Sequence, residues 1–298
     1  MTRAGFVGVA GRPNVGKSTL VNAIVGARVA IVSERPQTTR RAIRGVSTDP
    51  EGGWQLVMTD LPGVQRPRDA LTERMQRRVE REIADSDAVL LVVNGEQGIG
   101  PGDRFIDGAL LGANEGTPVV CAVNKVDRLN NAEAAAVLAA AAEELESVDE
   151  IFPISARRGT GLEPLMAKLV ELVPEGPFLF PPEQRSDLPS EVLLAELIRE
   201  QVLRRTRDEL PHAVEVQVTE VAHREDGVVE VRAHVWAETE SQKAILIGSG
   251  GSKIKEIGTA ARAELERELG ARVFLDLQVR VRKRWRKDEG LLDRLGIE

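Results

Sequence analysis

The 298-residue chain contains no tyrosine and one cysteine, Cys121. A single thiol excludes an internal disulfide, a thiolate zinc site and an iron–sulfur cluster, so the fold must be held by its core. Only nine residues are aromatic, three tryptophans and six phenylalanines, which argues against recognition of nucleic acid by base stacking. No run approaches the ~18 apolar residues of a membrane span. Met1–Ala10 lacks the h-region and small-residue cleavage site of a secretory signal, so a cytoplasmic protein is expected. An excess of positive charge is also missing: 40 Lys and Arg face 47 Asp and Glu, for a net charge of −7. Blanket adhesion to nucleic acid needs a basic protein, so any such contact here must be local.

What is present is a change of pattern part-way along the chain. Short apolar runs at Phe6–Ala10, Trp54–Met58, Ala88–Val93, Pro118–Val123 and Ile151–Ile154 alternate with helical stretches such as Ser18–Val25, Leu71–Ile83, Ala132–Glu146 and Leu162–Leu172. Apolar strands spaced by helices predict an α/β fold with a mostly parallel sheet covered on both faces. Pro174–Pro189 carries five prolines and no period. The expected organisation is a first domain over 1–174, a linker over 175–189 and a second domain over 190–298. The second domain reads as α-β-β-α-α-β, with a hairpin turn at Asp226-Gly227.

The first domain carries Gly11-Arg12-Pro13-Asn14-Val15-Gly16-Lys17-Ser18, which satisfies G-x-x-x-x-G-K-[ST] between a strand and a helix. In such a P-loop the amides face phosphate oxygens, Lys17 reaches the β- and γ-phosphates, and Ser18 ligates Mg²⁺. Asn124-Lys125-Val126-Asp127 chooses the base. A carboxylate at Asp127 can accept from guanine N1–H and the 2-amino group, and adenine offers neither donor there. Ser155 and Ala156, after the next strand, are expected to support the base through backbone amides. Asp60, Leu61, Pro62 and Gly63 close the third strand: the acid can hold Mg²⁺ through water and the Gly63 amide can sense the γ-phosphate. Gln37, Thr38, Thr39 and Arg40 lie between, and Thr39 is favoured over Thr38 to complete the Mg²⁺ shell. In this order the motifs describe a GTP switch whose loops are ordered by the γ-phosphate and released in the GDP state. Ras-like switches place a water-orienting glutamine just after the Asp-x-x-Gly glycine; here Val64 stands there, and Gln65 is one residue too far. Catalysis is therefore expected to be slow and to rest on Lys17, Thr39, Gly63 and the metal.

In the second domain, Ile247-Gly-Ser-Gly-Gly-Ser-Lys-Ile254 sits between two expected helices. A G-x-x-G loop in that place is the mark of a KH module, whose backbone clamps about four nucleotides. Gly248, Ser249, Gly250 and Gly251 would form the clamp and Lys253 would neutralise phosphate. Ile245, Ile254 and Ile257 would line the apolar groove under the bases. The element order is that of the type II, α+β, KH fold. The run Arg280-Val-Arg-Lys-Arg-Trp-Arg-Lys287 has six basic residues and no acid, so Arg280, Arg282, Lys283 and Arg284 are expected on the RNA backbone.

With these residues in place the chain resembles the Era family, bacterial Ras-like GTPases with a C-terminal KH domain. The resemblance extends through Pro36–Arg40, Ile154–Ala156, Arg204–His212, Gln242–Gly258 and Val273–Leu277. Leu61 departs from the family, where threonine is usual. The resemblance implies a P-loop Ras-like fold and binding of the 3′ end of 16S rRNA in the GTP state. It further implies release after hydrolysis, a role in 30S subunit assembly and maturation, and peripheral contact with the cytoplasmic face of the cell membrane. Related GTPases with an asparagine at position 14 hold K⁺ against the phosphates, which implies the same for Asn14. A monomer is expected. Two readings compete: an RNA clamp in which GTP is only structural, and a tRNA-modification GTPase. The second needs a catalytic cysteine near the C-terminus, whereas Cys121 falls in an expected core strand.

Overall fold

The structure is a computed structural model and describes residues 1–32, 39–63, 69–113, 116–206, 210–295 and 297. The chain divides between Asp187 and Leu188 into two compact units.

The first unit is built on a six-stranded sheet of β1 (Arg3–Ala10), β2 (Ile43–Asp49), β3 (Trp54–Asp60), β4 (Ala88–Asn94), β5 (Val119–Asn124) and β6 (Glu150–Pro153), in the order β2-β3-β1-β4-β5-β6. Only β2 runs antiparallel to its neighbour. Its helices are α1 (Lys17–Val25), α2 (Ala70–Ala84), α3 (Pro101–Ala113), α4 (Asn131–Glu144) and α5 (Leu162–Leu172). Strand β4, AVLLVVN, shows why the sheet is sandwiched. Leu90 and Val92 pack with α1 and α5, while Val89, Leu91 and Val93 pack with α2, α3 and α4 on the other face. A strand apolar on both faces can only sit in the middle. Cys121 lies in the second of these cores, where burial, then Asp103 and Asp107, push its thiol up to about 12. It is an inert core residue.

The position of β1 matters most. It lies between β3 and β4, where the winding direction of the sheet reverses, and open α/β sheets bind ligands at the carboxyl edge of that point. The turns after β1, β3, β5 and β6 all leave from this edge.

The proline-rich segment is fastened to the first unit as far as Asp187. The Ala4 amide donates to Pro174 O and the Gly176 amide to Thr2 O. Ser186 bridges to Gly45 on the outer edge of β2. Gln55, wholly buried, accepts from the Leu179 and Phe180 amides at 2.7 and 2.9 Å and donates to Phe180 O at 2.9 Å. A side-chain amide here completes backbone pairing that a proline-rich segment cannot complete by itself.

The second unit contains α6 (Ser190–Arg205), α7 (Leu210–Ala213), β7 (Glu215–His223), β8 (Val229–Ala237), α8 (Glu240–Ile247), α9 (Ser252–Leu269), β9 (Val273–Val281) and α10 (Glu289–Arg294). Its sheet runs β7-β8-β9, with β7 antiparallel and β9 parallel to β8. Asp226 caps the β7–β8 turn by accepting from the Val228 amide at 3.1 Å. Helices α6 and α9, with Leu246 of α8, cover one face of the sheet. The basic run ends in a buried anchor: Trp285 is fully enclosed and donates through Nε1 to Ala213 O at 2.8 Å.

Candidate functional site

The turn after β1 is shaped by three residues in unusual conformations. Gly11 has φ 145°, and a Cβ there would lie 2.4 Å from Val92 O; Gly16 has φ 106°, and its Cβ would lie 2.3 Å from Asn124 Nδ2. Asn14 at the exposed apex has φ 66°, a left-handed conformation that asparagine tolerates. Gly16 caps α1, and among the described residues neither a side chain caps the helix nor an acid occupies its first turn. The first amides of α1 therefore open onto the loop, which is the arrangement that binds phosphate.

Lys17 is buried, and its Nζ donates to Gly11 O at 2.9 Å and Arg12 O at 3.0 Å. Burial pushes its pKa down to about 8, against the upward pull of Asp60. The Arg12 guanidinium turns away from the loop interior, and its Nε donates to the buried Asp103 at 2.8 Å. Three oxygens converge beside the start of α1. Ser18 Oγ donates to Asp60 Oδ2 at 2.6 Å, Thr39 Oγ1 donates to the same atom at 3.2 Å, and the two hydroxyls are 3.2 Å apart. Two hydroxyls and a buried carboxylate are hard oxygen donors, and Mg²⁺ takes one or two such protein ligands together with phosphate and water. The donor set fits that ion.

The base-reading loop is tied to the phosphate loop by Asn124. Its Nδ2 donates to Val15 O at 2.9 Å, and its Oδ1 accepts from the Lys125 and Ala156 amides at 2.8 and 3.0 Å. Lys125, at φ 68°, donates through Nζ to Asn14 O at 3.0 Å. The Asp127 carboxylate accepts from Ser155 Oγ at 2.7 Å and lies 3.5 Å from Arg158 Nε. The Ser155 hydrogen bond, then Arg158, hold its pKa below the usual carboxylate range, so it is an ionised acceptor at neutral pH.

In the second unit, α8 ends at Gly248 with φ 74° and ψ 172°, a conformation open essentially to glycine alone. A Cβ there would also meet Lys253 Cβ at 2.7 Å. Gly250 and Gly251 have positive φ but open space around them. Beside this loop lies a groove of about 410 Å³ between α9 and β9, lined among others by Ile254, Gly258, Thr259, Arg262, Leu275 and Leu277.

Comparison with known proteins finds a known family for each of the two units. Residues 6–125 match the family described as 50S ribosome-binding GTPase, and residues 209–286 match the KH domain family. GTPase Era of Mycobacterium bovis and of Mycobacterium tuberculosis are each 44% identical to the chain over 297 residues, covering 99% of it and 98% of themselves. The chain belongs to the Era family of GTPases. Two Era crystal structures superpose on it, each at 32% identity. One is an Aquifex aeolicus Era variant bound to GDP and AlF₄⁻, with a TM-score of 0.95 and 99% of both chains covered. The other is Era in complex with MgGDPNP and nucleotides 1506–1542 of 16S ribosomal RNA, with a TM-score of 0.94, covering 100% of this chain and 99% of that one. The fold is thus a P-loop GTPase domain with a mostly parallel sheet, followed by a KH domain.

Several sequence expectations change in this Era-family chain. The Ser155 and Ala156 amides are engaged within the protein, Ser155 with Thr160 O and Ala156 with Asn124; Ser155 acts through its hydroxyl on Asp127. Ile257 is wholly buried in the KH core, whereas Ile245 is 55% exposed and Ile254 reaches the groove. Ile257 shares the inward face of α9 with Ala261 and Leu265, while Ile254 stands in the first turn of the helix, where that face opens into the groove. Lys253 pairs with Glu256 at 3.0 Å and Arg282 donates to Asp288 at 2.7 Å, while Lys283 and Arg284 are exposed. Leu61 is fully buried, Pro62 is buried, Gly63 packs on Pro13, and Arg40 is buried. Gln37, Thr38 and Val64 lie outside the described residues. Asp103, Arg158, Thr259 and Arg262 were not anticipated. The first two are single charges in loops and helix starts with no motif around them, although the i, i+4 spacing of Ile254 and Gly258 does mark a groove wall.

Proposed function

We propose that this chain is a GTP-binding, GTP-hydrolysing switch that binds the 3′ end of 16S rRNA through its KH groove and acts in 30S subunit assembly and maturation. The observation that carries the reading is the meeting of Ser18, Thr39 and Asp60 at the open N-terminus of α1. It joins the loop after β1 to those before β2 and after β3, so a γ-phosphate and its metal have one place at which to order both. Ser18, Thr39 and Asp60 would hold Mg²⁺, which would neutralise charge on the transferred phosphoryl group. Lys17 carries the positive charge to the β- and γ-phosphates. Asp127 selects guanine. The Gly63 amide senses the γ-phosphate. Asn14, exposed at the apex of the loop, would hold K⁺; an Asn14→Ala protein that keeps its full K⁺ dependence removes that role. Gly248–Gly251 with Ile245, Lys253 and Ile254 take the RNA, joined by Arg280, Lys283 and Arg284. The protein acts as a monomer in the cytoplasm, with any membrane contact peripheral; no helix among the described residues is long and apolar enough to cross a membrane.

The test is binding of a 16S 3′-end RNA in the presence of a non-hydrolysable GTP analogue and then of GDP, with Gly250→Asp as control. Gly250 has φ 57° and nothing within 4 Å of a Cβ, so an aspartate meets no clash; it tolerates the left-handed backbone better than most side chains, and its carboxylate opposes phosphate. Tight binding with the analogue alone, lost in the control, is expected. Equal affinity in both nucleotide states would overturn the switch and leave an RNA clamp.

A further inference from the structure

The groove lies between α9 and the edge strand β9, and leaves most of the other face of the KH sheet uncovered. Val229, Val231, Ala233 and Val235 of β8 and Val273 of β9 point into the helix-covered core. Alternate residues face the other way: Gln217 on β7, His234 and Trp236 on β8, Gln278 and Arg280 on β9. Gln217 and Gln278 both lie opposite His234, and Arg280 lies opposite Trp236. Trp236 and His234 meet edge to face, with centroids 5.4 Å apart and planes at 76°. The indole Nε1 donates to Gln217 Oε1 at 3.3 Å. The ring is therefore held in one orientation while only half-buried. Arg280 is exposed, donates to Gln278 Oε1 at 2.9 Å, and has no acidic partner among the described residues. The far end of the face differs: Arg224 and Arg232 are paired with Glu230, and Arg232 also with Glu220. Asp276 lies opposite Arg232.

The geometry points to Trp236, His234 and Arg280 as a second RNA platform, on which a base of single-stranded RNA stacks and a phosphate is paired after the strand leaves the groove across β9. The inference rests on RNA binding by the KH groove as proposed above. Three features favour RNA as the occupant. A planar ring fixed by its neighbours, with amides and a guanidinium alongside, is what sequence-tolerant base stacking uses. Burial, then the charge of Arg280, lower the His234 pKa, so that ring stays neutral and adds no repulsion to Arg280. The platform is also continuous with the groove. β9 pairs with β8 alone among the described residues, Leu277 lines the groove, and Arg280 stands three residues on, about 10 Å along the strand. Exposed Lys283 and Arg284 follow directly.

The experiment compares two RNAs on the full chain with a GTP analogue: a four-nucleotide RNA that the G-x-x-G clamp can hold, and the same RNA extended at both ends. Trp236→Ala is expected to weaken the extended RNA about ten-fold or more, the loss of one stacked base, and to leave the short RNA unchanged. Trp236→Phe should restore most of the affinity. In a Trp54→Phe background, with Trp285 enclosed, the extended RNA alone should quench the Trp236 fluorescence. Unchanged affinity for the extended RNA overturns the platform, and so does equal weakening of both RNAs, which marks structural damage. If the unaltered protein binds neither RNA, the groove reading itself has failed.

Discussion

Lys17 has to be charged when phosphate arrives, yet it sits where charge is disfavoured. With its pKa at about 8 in the nucleotide-free fold, the ammonium form holds below that pH and is lost above it. Phosphate oxygens favour the cation, so above pH 8 nucleotide binding must take up a proton. GTP affinity is expected to fall by up to about ten-fold per pH unit from there, one proton being coupled to binding. The fold responds with the opposite sign. Between pH 8 and the ordinary lysine value the unfolded chain holds a proton that the folded chain does not, so this group adds stability as pH rises. Calorimetry of GDP binding at pH 9 in buffers of different ionisation enthalpy reads the proton directly, and no uptake would mean that Lys17 is already charged. Asp127 behaves in the other sense. Its lowered pKa keeps the carboxylate ionised through mild acid, so guanine selectivity should persist there. Asp127→Asn keeps an acceptor for Ser155 but presents an amide to the base. GTP is expected to weaken by about 10² to 10⁴-fold, and xanthosine triphosphate, with a carbonyl in place of the 2-amino group, should gain relative to it; competition binding of the two nucleotides checks this.

At the scale of elements, the same loop contains glycines with unequal duties. Gly248→Ala forces a Cβ into a φ 74°, ψ 172° turn and against Lys253, and should lower stability by about 1–3 kcal/mol. Gly250→Ala has open space but still places a Cβ at φ 57°, so it should cost about 1 kcal/mol, the left-handed backbone cost without the contact; thermal unfolding of the pair separates them. Gln55→Ala leaves the Leu179 and Phe180 amides without their partner, for an expected loss of about 1–3 kcal/mol and earlier proteolytic cleavage within 176–187. Much of this scale was legible in the sequence. Val-Leu-Leu-Val-Val could only be a central strand, and the helical stretch Ala132–Glu146 is α4, which starts behind a capping box of Asn130 and Glu133. What was missed has physical causes. Ile43–Asp49 mixes charge, glycine and β-branched residues, because it is an outer strand whose free edge the proline-rich segment covers. The helix Pro101–Ala113 holds three glycines that weaken its signal. Gln55 reads as an ordinary polar residue in a strand, since its partners lie more than 120 positions away. In the KH unit, Trp285 gave no hint that a basic run ends in a buried anchor.

The whole molecule carries a net charge of −7 and still has a nucleic-acid partner in the proposed function. These are compatible only if a few cations do the work. Around the groove and the end of β9 the candidates are Lys253, Lys255, Arg262, Arg280, Lys283 and Arg284, and Lys253 and Arg262 already have acidic neighbours at 3.0 and 4.0 Å. Each phosphate neutralised on a single strand contributes about 0.7 to the slope of log affinity against log salt. The expected slope for a 16S 3′-end RNA is therefore about −2 to −4. A titration from low to physiological salt measures it. A steeper slope would place further phosphate contacts on basic residues outside the KH domain. A slope near −1 would mean that bases in the groove, held by Ile254, Leu275 and Leu277, supply nearly all the affinity. In the expected range the protein binds by a local positive strip on an acidic body, so repulsion from the rest of the surface opposes non-specific RNA and leaves only a strand that fits the groove. Removing Lys283 and Arg284 together should then flatten the slope by about 1.4 while leaving sequence preference intact, because those side chains meet phosphate and the groove meets bases.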